Sequence, residues 1–153
     1  MRKFHIVADD HRVHEEAPML PKRSTTGSAG YDFYLPEDIL IFRNESILIW
    51  TDVKAEMYPR EFLQMHIRSS YGIKKNLMLS NIVGIIDKDY YNNKSNDGNI
   101  GICLHNYGND NIELKKGDAY CQGIFLEYSI TDDDSTYQER EGGIGSTGGL
   151  NCV

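Results

Sequence analysis

The chain has 153 residues, of which 16 are basic and 23 acidic, giving a net charge of −7. That length suits one domain with a single core, and the acidic balance argues against a general nucleic-acid or anionic-membrane surface. No run approaches the ~20 apolar residues of a membrane span, and the start MRKFHIVADDHRVHEE turns acidic too early for a signal peptide.

In chain order, short two-periodic segments dominate. Residues 39–42, 46–50, 62–67, 77–86, 100–104 and 120–130 read as strands. Turn signals separate them at Pro36, Arg43-Asn44-Glu45, Pro59, Gly72, Gly108-Asn109 and Gly117-Asp118. Residues 69–75 offer a turn or two of helix, and no longer stretch carries a helical apolar face. The pattern predicts an all-β, jelly-roll-like β-barrel. Residues 92–99, NNKSNDGN, are polar and turn-forming, and are expected as an exposed hairpin tip.

The barrel domain is expected over 1–130 and a flexible glycine-rich arm over 131–153. That tail opens with Asp132, Asp133 and Asp134 and holds five glycines from Gly142 to Gly149. It has no core of its own to offset its ordering entropy, so it is either a solvated tail or an arm that orders over a ligand. Cys103 and Cys121 read as small buried hydrophobes and Cys152 lies in the tail, which fits a reduced, disulfide-free, cytoplasmic protein. The histidines are scattered: His11 and His14 have no third metal ligand at a recognisable spacing.

One stretch carries more chemistry than the rest, NIVGIIDKDYY at 81–91. Ile82, Val83, Ile85 and Ile86 are β-branched and favour a half-buried strand or hairpin, which Gly84 interrupts. Asp87 emerges where this apolar run ends, held rigidly yet able to reach a cleft. Alone, the pattern also suits a strand that ends in a turn aspartate.

The segments around it decide between those readings. GSAGYDF (27–33), IRSSYG (67–72), the 81–91 stretch, KKGDAYCQ (115–122) and GGIGSTGG (142–149) stand in an order and spacing that resembles the trimeric dUTPase family, which has phage and bacterial members. The resemblance runs from about 21 to 149. It implies a dUTP diphosphatase that yields dUMP and pyrophosphate, with Asp87 as the base that activates water. It implies uracil recognition by Asn81, Ile85, Ile86 and the backbone near Gly101, with the Tyr90 ring under the deoxyribose. Phosphate contacts fall to Arg68, Ser69, Ser70 and Gln122, residue types suited to forked and hydroxyl contacts with phosphate oxygens.

The arm residues Arg140, Ile144, Gly145, Ser146 and Thr147 are implied to close over the nucleotide, small residues letting backbone N–H groups converge on anionic oxygens. The arm lacks the GxxxxGK[ST] pattern of a P-loop. Mg²⁺ is expected as the cofactor, held mainly by the phosphates and waters, with Asp32 near it through water or simply stabilising a turn. A homotrimer with shared sites is implied, the 131–153 arm of one chain completing a neighbouring active site, in the cytoplasm or in a host's cytoplasm.

The chain also departs from the family pattern. Ile144 replaces an arm aromatic, Arg140 stands one residue closer to the glycines than in many members, and Ala119 follows Asp118 where an arginine is usual. Residues 92–99 extend a tight turn, and this insertion either contacts a regulatory protein partner or is neutral surface. Three other readings remain: a dCTP deaminase, which resembles dUTPases in fold but lacks the arm; a nucleotide-gated regulatory protein; and a non-catalytic descendant.

Overall fold

Alternation of inward and outward side chains builds the strands. In β6 (Glu61–Ile67) the residues Glu61, Leu63 and Met65 are buried while Phe62 and Gln64 are half-buried. The whole order is β1 (Lys3–Ile6), β2 (Tyr31–Tyr34), β3 (Ile39–Ile41), β4 (Ser46–Trp50), β5 (Val53–Glu56), β6, α1 (Ser69–Lys75), β7 (Leu77–Leu79), β8 (Gly84–Asp87), β9 (Gly101–Asn106), β10 (Ile112–Leu114) and β11 (Ala119–Glu127). Short 3₁₀ turns cover Asp9–His11 and Lys88–Tyr90. This computed structural model describes residues 1–137, 140, 142 and 143; Ile144, Gly145, Ser146 and Thr147 lie outside them.

Four antiparallel sheets make up an all-β, jelly-roll-like barrel. Their strand orders are β2-β11-β6-β8, β4-β9-β7, β1-β5 and β10-β3. Leu63, Leu77, Leu104, Ile100 and Tyr120 are fully buried between them. Phe4, Tyr31, Phe33 and Phe125 add an aromatic cluster with centroids 5.3–5.8 Å apart. Among the described residues, no helix is long and apolar enough to cross a membrane.

Three local expectations need correction. The run 77–86 is not one strand: it breaks between β7 and β8, where Ile82 takes a left-handed φ of 66°, a conformation costly for a β-branched residue. The segment 92–99 is not an exposed tip: Asn93 and Asn99 are buried, at 6% and 1% exposure, and Gly98 lies beside them. Cys121 is buried and its thiol is pushed up to about 12 by that burial, but Cys103 is only half-buried and lines a cavity. Strands β1, β2, β5 and β10 also add to those read from the sequence.

The N-terminal segment is fastened at a buried carboxylate. Asp52, with no exposed surface, accepts the amides of Val13 (2.9 Å) and His14 (2.8 Å) and the Asn99 carboxamide (2.8 Å). Its burial favours the neutral form, but these hydrogen bonds and one from the His14 ring hold its pKa below the ordinary value.

Candidate active site

A cavity of about 390 Å³ opens between the edges of two sheets, within the range of small-molecule sites. One wall is β8, whose only sheet neighbour among the described residues is β6. The other is the start of β9, since β7 pairs with β9 only from Leu104 onward. Gly101 therefore presents its main-chain groups to the space, as an unpaired sheet edge does, while those of Ile102 face Ile49 on β4. Gly101 has a further constraint: a Cβ there would fall 2.9 Å from the ring of Trp50, its ladder partner on β4.

Asn81, Ile85, Ile86, Asp87, Tyr90, Gly101 and Arg140 all line this cavity, so the structure brings together seven of the residues singled out from the sequence. Asp87 ends β8 with half of its side-chain surface exposed. The Arg140 guanidinium pairs with Asp87 and places Nε 2.8 Å from the Asp89 carboxylate. Tyr90 is buried, which pushes its phenol pKa up and keeps the hydroxyl protonated. That hydroxyl donates to the Asn99 carbonyl at 2.7 Å.

A second cluster forms elsewhere. Arg68 caps the start of α1, whose first residues are Ser69 and Ser70. Its Nε lies 3.2 Å from Asp32, and its Nη1 donates to the Ala119 carbonyl at 3.0 Å. Gln122 on β11 stands opposite Asp32 on β2 and His66 on β6. At the family's usual arginine position, therefore, Ala119 still supports Arg68, through its main chain.

The two clusters cannot meet within one chain. Asp87 pairs with Phe62 on β6, and from position 62 to 68 a strand rises roughly 20 Å. Arg68 then turns toward β2 and β11, whereas β8 lies on the opposite edge of β6. None of Asp32, Arg68, Ser69, Ser70 and Gln122 lines the cavity.

The donor set suits a metal carried by phosphates rather than a protein cage. Asp32 is buried, with one carboxylate oxygen taken by the Ser24 hydroxyl (2.6 Å) and the other facing Arg68. No group of three or more His, Cys, Asp or Glu side chains is placed to hold an ion among the described residues. Sequence reasoning missed Asp89, which shares Arg140, and Leu48, Ser80 and Cys103, which also line the cavity. Asp89 had a legible signal, an acidic residue two positions from Asp87 with an arginine in the arm.

Known proteins match this architecture. A model of the dUTPase family matches residues 16–148. The deoxyuridine 5'-triphosphate nucleotidohydrolase of Lactococcus lactis is 44% identical, covering 84% of this chain and 87% of its own. Its Escherichia coli counterpart is 31% identical, covering 97% of this chain and 99% of its own. The dUTPase of Streptococcus mutans superposes with a TM-score of 0.75 at 37% identity, covering 86% of this chain and 99% of that one. With a family match over most of its length and relatives above 30% identity that it nearly spans, the chain belongs to the dUTPase family.

Proposed function

We infer that the chain is a dUTP diphosphatase, hydrolysing dUTP to dUMP and pyrophosphate. The observation that carries this reading is the cavity between two sheet edges with Asp87 at its rim. Uracil offers O2, N3–H and O4 along one edge, and fixed main-chain amides and carbonyls match that pattern. Cytosine inverts it, leaving buried polar groups unpaired, which is a strong ground for rejection. Asn81, Ile85, Ile86 and Gly101 are assigned to the base, and Tyr90 to the face of the deoxyribose.

Asp87 accepts a proton from a water whose oxygen bonds to the α-phosphorus as the bond to the α–β bridging oxygen breaks. Pyrophosphate departs with the bridging oxygen, and dUMP keeps the oxygen from water. Arg68, Ser69, Ser70 and Gln122 bind phosphate oxygens, and Asp32 orients Arg68. Mg²⁺, held by the triphosphate, would supply charge neutralisation there. Arm residues Ile144, Gly145, Ser146 and Thr147 are assigned to closing the site, with Arg140 as a phosphate contact that exchanges Asp87 for the nucleotide.

The separation of roughly 20 Å between Asp87 and Arg68 supports a site assembled from different copies, and the assembly we propose is a homotrimer. Mixing inactive Arg68→Ala chains with inactive Asp87→Asn chains then restores turnover; silence in refolded mixtures would argue for a single-chain site. The substrate assignment is tested by pyrophosphate release from dUTP, dCTP, dTTP and UTP with Mg²⁺. Release from dUTP alone supports it. Ammonia from dCTP would favour a deaminase, and nucleotide binding without turnover would favour a sensor.

A further inference from the structure

The insertion at 92–99 folds inward beneath Tyr90. The Asn96 carboxamide is its centre: Nδ2 donates to the Tyr90 hydroxyl at 2.7 Å and also reaches the Asn99 carbonyl at 3.2 Å. Tyr90 in turn donates to that carbonyl, so hydroxyl, amide and carbonyl close a ring of three contacts. Asn96 is itself held, its Oδ1 accepting from the Gly98 amide (3.1 Å) and from Asn93 Nδ2 (2.7 Å). Gly98, at φ 83°, fits where a Cβ would stand 2.8 Å from the Tyr90 carbonyl. The insertion thus touches the cavity through one side chain, Tyr90.

We propose that Asn96 is a positioning residue for sugar discrimination, fixing the Tyr90 ring at the height that admits deoxyribose and excludes a 2′-hydroxyl. This rests on the assignment of Tyr90 to the sugar. A tyrosine side chain turns about two torsions, and the carbonyl of Asn99 alone restrains its hydroxyl from one direction. The amide of Asn96 supplies the second direction. Without it the ring gains room to yield to a ribonucleotide, while the base contacts and Asp87 are untouched.

The test compares kcat/KM for dUTP and UTP in Asn96→Ala, Asn96→Asp, Tyr90→Phe, Tyr90→Ala and the Asn96→Ala/Tyr90→Phe double variant. Asn96→Asp retains the acceptor for Gly98 and Asn93 and so guards against simple loss of the loop. The dUTP-to-UTP ratio is expected to fall roughly three- to tenfold in both Asn96 variants, the worth of one hydrogen bond, with the change in the KM for UTP. In the Tyr90→Phe background Asn96→Ala is expected to add less than about twofold, because its partner is already gone. General loosening of the fold would lower both substrates together and leave the ratio unmoved. An unmoved ratio in both Asn96 variants, with a collapsed ratio in Tyr90→Ala, overturns the proposal alone. Multiplying effects in the double variant also overturn it. An unmoved ratio in Tyr90→Ala overturns the sugar assignment beneath it.

Discussion

Residues 92–99 and the start of the C-terminal arm look alike as sequence, both polar and free of aliphatic side chains in their central runs, yet they are held in opposite ways. The insertion is pinned at both ends, by the 3₁₀ turn Lys88–Tyr90 and by β9, and filled with its own carboxamides. Asn93 Oδ1 alone accepts from the Ser95 amide and hydroxyl and the Asn96 amide at 2.7–3.2 Å. Residues 131–137 are all exposed and, among the described residues, carry only two local turn hydrogen bonds, at Asp134 and Thr136. Their first described tie to the barrel is Arg140 on Asp87 and Asp89. Polarity therefore does not foretell exposure. A loop closed at both ends by side-chain-to-backbone bonds replaces a core, whereas residues 131–137 lack such a network among the described residues.

The largest expected effect falls where the two regions meet. Asp87→Asn should lower kcat by about 10²–10⁴-fold while a non-hydrolysable dUTP analogue still binds; near-normal turnover would dismiss Asp87 as the base. Next, the regions can be broken separately. Removing everything after Tyr137 should abolish most turnover yet move Tm by less than about 2 °C, since the described residues there, Arg140, Gly142 and Gly143, add no strand and no apolar core side chain. Asn93→Ala, which removes a buried hydrogen bond to the Tyr90 carbonyl and the acceptor of the Ser95 and Asn96 amides at a cost of about 1–3 kcal/mol, should lower Tm by roughly 3–10 °C. Equal Tm shifts would erase the contrast.

A pH series sharpens it further through Asp52, which ties Asn99 of the insertion to the N-terminal segment. Its folded pKa lies below the unfolded value of about 3.9. Its contribution is therefore complete above roughly pH 4 and lost as pH falls through the folded pKa. Asp52→Asn should be less stable than wild type at pH 7, with the Tm gap narrowing below about pH 4; a constant gap would count against the linkage. The smallest effect belongs to Ile82, outside both regions. Ile82→Gly should raise stability by up to about 1 kcal/mol by releasing the left-handed backbone, read as a Tm gain of a few degrees.

Much of this was visible in the residues. The 69–75 helix and the central strands follow from alternation and turn signals, which are local, whereas the seven expected residues that line the cavity were implied only by the resemblance that the motif order carries. The break at Ile82 did not, since an isoleucine signals extended chain and only tertiary closure forces it into a left-handed turn. The insertion was misjudged because its asparagines satisfy one another and the backbone of Tyr90, a network that composition does not encode. The gap between Asp87 and Arg68 was implied by the family resemblance alone, because it depends on ladder register, with β8 and β11 on opposite edges of β6.

The cavity's rim has one more consequence. On the base assignment proposed above, the nucleobase meets main-chain atoms of Gly101 and β8, and no substitution can exchange a donor for an acceptor at that point. Inherited change at these positions can weaken the fit but has no short route to a new base preference. An inhibitor that copies the uracil edge would meet few single-residue routes to resistance, whereas the arm and the sugar-facing side chains would be the places where escape begins.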